Sequence, residues 1–245
     1  MTIAHMVIGA GGAIGQALTA ALASRFPEDT IYAVARHASV TPETAQNVRA
    51  IAMDTGDDKA VGAWLQELKS QGVQFQRVVC TVGVLHGDVD GVNLQPEKKL
   101  EDLSADKLMA YFAVNTIIPT LWVKNLVGCM ADEHSSITCL SARVGSISDN
   151  QLGGWYGYRA SKAALNMMLK TAAVEYARRS KGTALVSYHP GTVDSGLSQP
   201  FQANVPKGKL FTPQFTAEQL MAFLDNVTPA HSPYFTDWQH KPIDW

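Results

Sequence analysis

Ile3-Ala4-His5-Met6-Val7-Ile8 runs directly into Gly9-Ala10-Gly11-Gly12-Ala13-Ile14-Gly15, and the pattern Ala13–Arg25 follows without a break. The first six residues read as a strand and the last thirteen as a helix. The glycines between them allow positive φ and let phosphate oxygens come close to backbone N–H groups. A helix N-terminus then presents its dipole to an anion. The usual G-x-G-x-x-G spacing fails, because position 14 is Ile, and a plain tight β-α turn would use the same residues. The order strand, glycine turn, helix nevertheless points to a nucleotide site. Its candidate residues are Gly9, Gly11, Gly12, Ala13, Ile14 and Gly15.

The alternation continues outward from this turn. Thr30–Ala35, Val48–Ala52, Phe75–Val82, Ser136–Leu140 and Thr183–Tyr188 read as strands. Asp57–Gln71, Ala105–Met130, Tyr156–Arg179 and Thr216–Asn226 read as helices, with Ser104 and Thr216 as candidate N-caps. Runs such as Val78-Val79-Cys80 and Leu185-Val186-Ser187-Tyr188 are apolar without alternation, as strands covered on both faces must be. This predicts an α/β fold with a doubly wound parallel sheet, formed by residues 1–245 as a single domain. Two segments are expected to be long loops, 86–100 and 195–213. The second carries Phe201, Val205, Leu210 and Phe211, so it reads either as a substrate loop or as a self-packed surface loop.

Composition narrows the function classes. The chain has 245 residues, with 20 Lys and Arg against 22 Asp and Glu, and 46% hydrophobic residues. No dedicated nucleic-acid or polybasic membrane binder is expected from that balance. No signal peptide is read at the N-terminus, and the apolar stretch 108–123 is too short to span a bilayer. Cys80, Cys129 and Cys139 are odd in number and form no C-x-x-C, so free thiols in a reducing, cytoplasmic setting are expected. The histidines form no metal-ligand spacing, so no metal is expected.

The second candidate strand ends Val34-Ala35-Arg36. A site for NAD places an acid here for the ribose 2′-hydroxyl. Positions 33–37 hold none, and the Arg36 guanidinium suits a 2′-phosphate, so NADP is expected over NAD. Tyr158 and Lys162 are four residues apart and share a face of their helix. An ammonium beside a phenol favours the phenolate, which would suit proton exchange with an alcohol or carbonyl.

With these motifs in order, the sequence resembles the short-chain dehydrogenase/reductase family. The wording of 140–166 is most similar to its C-factor-like and sniffer-like carbonyl reductase branch. The resemblance covers nearly the whole chain through Gly9 to Gly15, Asp54, Gly83, Asn115, the Ser141 region, Tyr158 with Lys162, and Pro190-Gly191. It implies a Rossmann-like sheet of about seven strands and NADP(H)-dependent hydride transfer between a carbonyl and an alcohol. Tyr158 would be the acid/base and Lys162 its partner. Asn115 would sit at a helix kink and hold a water. Asp54 would meet the adenine amino group, Gly83 the adenosine ribose, and Pro190, Gly191 and Val193 the nicotinamide. A homodimer or homotetramer through the two long helices is implied as well.

Three departures from the family pattern matter. Ala13 replaces a glycine, and Cys80-Thr81-Val82-Gly83 keeps only the last residue of N-N-A-G. Counting back three from Gly145 reaches Ala142, where the family often places its catalytic serine. Ser141 is the candidate for that role, with Tyr156 and Ser146 next. A non-catalytic nucleotide sensor on the same fold is the competing reading.

Overall fold

The computed structural model describes residues 1–37 and 46–245. Seven strands form one sheet: β1 (Thr2–Ile8), β2 (Thr30–Ala35), β3 (Val48–Ala52), β4 (Val73–Cys80), β5 (Ser135–Leu140), β6 (Thr183–His189) and β7 (Tyr234–Asp237). Their spatial order is β7-β6-β5-β4-β1-β2-β3, and every pairing is parallel. Residues Ala4 to Ile8 of the central β1 are all buried, as are all six residues of β5. The edge strand β3 is half exposed. Continuous apolar runs therefore occupy the middle of the sheet, where helices cover both faces.

The helices are α1 (Ala13–Arg25), α2 (Asp58–Ser70), α3 (Ala105–Phe112), α4 (Ile118–Leu126), α5 (Tyr156–Arg179) and α6 (Pro213–Leu224). Two apolar layers result. One, on the α2, α4 and α5 side, is built on Phe75, Trp122, Leu126, Leu165 and Leu169. The other, on the α1 and α6 side, is built on Leu18, Leu22, Val186, Tyr188 and Leu220. Asp57 caps α2 by accepting from the N–H groups of Lys59 and Ala60.

Several boundaries differ from the sequence reading. The expected helix 105–130 is three pieces. A π-helical turn, Ala113–Ile117, separates α3 from α4, and α4 ends at Leu126 before Gly128 at φ +79°. Pro119 has no N–H to return to the carbonyl of Asn115, so the α-helical ladder breaks at that point. Helix α6 starts at Pro213 under the Thr212 cap, and Thr216 is a buried residue inside it. The segment 86–100 contains a hairpin, Gly87–Val89 with Val92–Leu94. The segment 195–213 contains a 3-10 helix, Gln199–Asn204, and Leu210–Phe211 pairs with Thr192–Val193. Strand β7 lies outside the strands expected from the sequence: its four residues, Tyr234-Phe235-Thr236-Asp237, are too short a stretch to carry a periodic signal.

From β1 the chain winds one way through β2 and β3, and from β4 the other way through β5, β6 and β7. The reversal lies between β1 and β4, where an open α/β sheet leaves a crevice at its carboxyl edge. The glycine turn follows β1, and Thr81 to Gly83 follow β4.

Candidate active site

Gly9 stands at φ +85° and forms the floor of the crevice. A Cβ on it would lie 2.6 Å from Thr81 Oγ1, and a Cβ on Gly15 would lie 2.4 Å from the Gly9 carbonyl oxygen. Side chains at either position would force the turn away from β4. Gly12 begins α1 without a side-chain cap, and the first turn of that helix holds no acid. The Gly12 N–H donates to the Gly9 carbonyl at 3.1 Å and closes the turn, while the first N–H groups of α1 are those that a helix leaves without an intrahelical partner and that suit an anion. Thr81 takes over sheet support from the missing asparagine. Its hydroxyl donates to the carbonyls of Ile8 and Gly9 at 3.1 and 3.0 Å. Arg36 is exposed at the end of β2, and Gly11 lies beside Ala35. Asp54 is exposed after β3 and accepts from the Gly56 N–H at 2.9 Å.

Tyr158 and Lys162 lie on one face of α5, 7% and 3% exposed. The Lys162 Nζ donates to the Leu140 carbonyl at 2.9 Å and lies 5.9 Å from the Tyr158 ring centre. Burial lowers the Lys162 pKa to about 8, opposed by the neighbouring Cys80 and Cys139 thiols, which pair across β4 and β5. Burial also pushes the Tyr158 phenol well above its ordinary value. Desolvation outweighs the lysine, and the phenol keeps its proton.

Asn115 is fully buried on the π-helical turn. Its Oδ1 accepts from the Val84 N–H at 2.7 Å, and its Nδ2 donates to the Val84 carbonyl at 2.9 Å and to Ser161 Oγ at 3.0 Å. Ser161 donates in turn to the Tyr158 carbonyl. One amide thus ties the backbone after β4 to the turn of α5 that carries Tyr158. A Cβ on Gly83 would lie 3.3 Å from Lys162 Nζ and 3.4 Å from Asn115 Oδ1, so these three residues meet at the end of β4. Pro190 and Gly191 follow β6. Gly191, at φ +76°, lies under Phe211 and Trp238. Val193 is buried, and its carbonyl accepts from Ser198.

The structure does not place the Ser141 hydroxyl beside Tyr158. It donates to Asn166 Oδ1 at 2.7 Å, eight residues further along α5. At 1.5 Å per residue that is about 12 Å along the helix axis. Ala142, not Ser141, belongs to the apolar cluster of Tyr158, with Leu85, Leu94, Ala110 and Tyr111. Adjacent residues at a strand end face opposite sides, and the family spacing puts the methyl, not the hydroxyl, toward the phenol. Ser146 accepts from the Asp149 N–H and belongs to the following turn. Tyr156 opens α5.

Two aromatic residues, Trp155 and Phe201 of the expected substrate loop, lie beside the pair. Trp155 packs against Tyr158 at 6.2 Å between ring centres and against Phe201 at 5.1 Å. Phe201 also meets His86 at 5.9 Å, and a His86 ring nitrogen pairs with the Gly196 carbonyl at 2.9 Å. The segment 195–213 therefore covers the Tyr158 cluster. Its apolar residues were the signal available in the sequence.

The sequence pattern described as short chain dehydrogenase matches residues 4–206. The chain belongs to that family. A 1-hydroxy-2-glutathionyl-2-methyl-3-butene dehydrogenase from Rhodococcus sp. (strain AD45) is 28% identical to this short-chain dehydrogenase over 193 residues, covering 79% of this chain and 78% of the relative. The C-signal protein of Myxococcus xanthus is 28% identical over 147 residues, covering 60% and 83%. The carbonyl reductase Sniffer of D. melanogaster has the same fold, with a TM-score of 0.82 at 17% identity over 100% of both chains. A short-chain dehydrogenase/reductase from Burkholderia multivorans with bound NADP gives 0.80 at 21% identity over 99% of each. These likenesses agree with the branch resemblance of residues 140–166. Among the described residues, no helix is long and apolar enough to cross a membrane.

Proposed function

We propose that this oxidoreductase interconverts an apolar carbonyl compound and its alcohol with NADP(H), and that Tyr158 carries the proton. The observation that carries the reading is the buried Tyr158–Lys162 pair on α5, which meets Asn115 and Gly83 beside the glycine turn. When bound, the nicotinamide supplies or takes up the hydride. The open cradle at Gly9 to Gly15 fits the pyrophosphate, and a Cβ at Gly9 or Gly15 would disrupt it. Arg36 would hold the 2′-phosphate, Asp54 the adenine, and Gly83 the adenosine ribose. Lys162 would hold the nicotinamide ribose, and Pro190, Gly191 and Val193 would line the ring. The NADP-bound relative of the same fold supports this choice over NAD.

Tyr158 keeps its proton through burial and donates it to the substrate oxygen as the carbonyl is reduced. Lys162 adds positive charge behind the phenol and eases that transfer. Asn115 holds the backbone of Tyr158 in register with Val84 through Ser161. Leu85, Leu94, Ala142, Trp155 and Phe201 exclude water and favour an apolar substrate. Ala142 and Ser141 leave no serine hydroxyl beside Tyr158, so the phenol orients the carbonyl without that partner. The same methyl favours the second reading, a nucleotide sensor without turnover. A panel of aldehydes and ketones with NADPH and with NADH, followed by nicotinamide absorbance, separates the two. Turnover supports the enzyme, whereas tight NADPH binding without turnover of any carbonyl overturns it.

Assembly with a second copy is part of the proposal. Met167, Met168 and Val174 are exposed along α5, and Met109 and Ile117 along α3 and the π-helical turn. A groove of about 730 Å³ runs beside α5 toward Trp245. The buried free thiols suit a reducing cytoplasm.

A further inference from the structure

Glu97 lies in the short connection between the hairpin 87–94 and the 3-10 turn Leu100–Asp102, and it is 1% exposed. A carboxylate so enclosed needs a reason. Its surroundings are the start of α5. That helix begins on Trp155, whose backbone is left-handed at φ 54° and ψ 41° and whose side chain supplies no cap. A bulky residue in this conformation persists only where neighbours hold it. The Trp155 N–H donates to the Glu97 carbonyl at 2.5 Å, and the Gly157 N–H donates to Glu97 Oε2 at 3.1 Å. Glu97 thus does from a distant segment what an N-cap side chain does locally.

The fit allows little slack. A Cβ on Gly157 would lie 2.4 Å from the Tyr111 ring and 2.9 Å from Glu97 Oε1. Glu97 Oε1 is buried without a hydrogen-bond partner among the described residues. Tyr111 in turn packs its ring against Tyr158 at 6.4 Å and donates its hydroxyl to the Leu85 carbonyl. The two N–H groups that Glu97 holds therefore bracket Tyr156 and end one residue before Tyr158. The same residue continues a hairpin whose Val89, Val92 and Leu94 line the Tyr158 cluster.

We infer that Glu97 is a positioning residue for Tyr158, locking the strained first turn of α5 so that the Trp155 ring and the Tyr158 phenol face one pocket. The inference rests on the carbonyl reductase reading only for its kinetic test. Glu97→Ala removes the side-chain acceptor, Glu97→Gln keeps one, and Glu97→Asp keeps a carboxyl group but withdraws it from Gly157. Expected are a kcat at least tenfold lower in Glu97→Ala, an NADPH Kd within twofold of the native value, and recovery to within threefold in Glu97→Gln. Tyrosine labelled at Cζ with ¹³C, its Tyr158 resonance assigned by Tyr158→Phe, reads the position without turnover. That resonance should shift or broaden in Glu97→Ala and return in Glu97→Gln. If Glu97→Ala does not fold, Glu97→Asp decides, with a displaced resonance and a kcat lowered severalfold expected. A folded Glu97→Ala or Glu97→Asp with an unmoved Tyr158 resonance overturns the inference, whatever the turnover. A moved resonance in a protein that reduces no carbonyl upholds the inference and rejects the carbonyl reductase reading.

Discussion

Ser141 donates a buried 2.7 Å hydrogen bond to Asn166, and this bond turns the serine hydroxyl away from Tyr158. Asn166 also reaches the Gly145 carbonyl, so the pair holds the turn after β5 against α5. Ser141→Ala should therefore act on stability. Leaving the Asn166 acceptor unpaired costs about 1–3 kcal/mol, or roughly 2–4 °C in Tm per kcal/mol for a chain of this size. Turnover should stay within about twofold, a figure set against the ~10²–10³ expected for a lost oxyanion donor. A folded Ser141→Ala protein without activity would return the serine to the chemistry.

Ala142→Ser tests the same geometry from the other side. A hydroxyl at the position packed with Tyr158 adds a donor for the substrate oxygen, and kcat should rise by about tenfold. The gain should vanish when combined with Tyr158→Phe. An unchanged or lower kcat in a stable Ala142→Ser protein counts against the placement of the carbonyl beside residue 142.

Tyr158→Phe removes the hydroxyl and keeps the ring that packs on Trp155 and Tyr111. NADPH affinity should hold, and turnover should fall by ~10² or more, as for a lost general acid. Full activity in this variant, on a substrate that the native protein reduces, rejects the mechanism.

Arg36→Ala should weaken NADPH by about tenfold or more, in line with a lost charge-assisted hydrogen bond, and leave NADH nearly unchanged. Titration of both cofactors decides this. Equal native affinities for the two would remove the basis for NADP selection.

His189, at the end of β6, gives stability a dependence on pH. Burial lowers its pKa to about 4, the Arg143 charge adds to the shift, and Asp237 opposes it. The unfolded chain takes up this proton near 6.5 and the folded chain near 4, so stability falls as pH drops through that window. The group accounts for up to roughly 3 kcal/mol at the lower end. Denaturant melts from pH 7 to 4 should show a shallower decline for His189→Gln. Parallel curves for the two proteins would assign the acid sensitivity elsewhere.

Much of the site was legible because its signals are local. Tyr158 and Lys162 lie four apart on one helix, and the glycine turn is contiguous with β1, so spacing alone places them. Pro119 four residues after Asn115 is likewise a local reason for the break in the helix. The doubly wound sheet follows from apolar runs alternating with amphipathic ones. What stayed hidden depends on residues far apart in the chain. Whether Ser141 or Ala142 faces Tyr158 turns on a single-residue register at the end of β5, and Asn166 decides it by claiming the serine hydroxyl. Thr81 stands in for an asparagine because the carbonyls of Ile8 and Gly9 lie within its reach. Glu97 sits in an unremarkable Pro-Glu-Lys stretch, and only the packing of its segment against α5 buries it beneath Gly157. Local patterning determined the elements and the chemical groups in them. The directions in which buried hydroxyls and carboxylates point were decided by tertiary structure, because an enclosed polar atom must find its partner wherever the fold brings one.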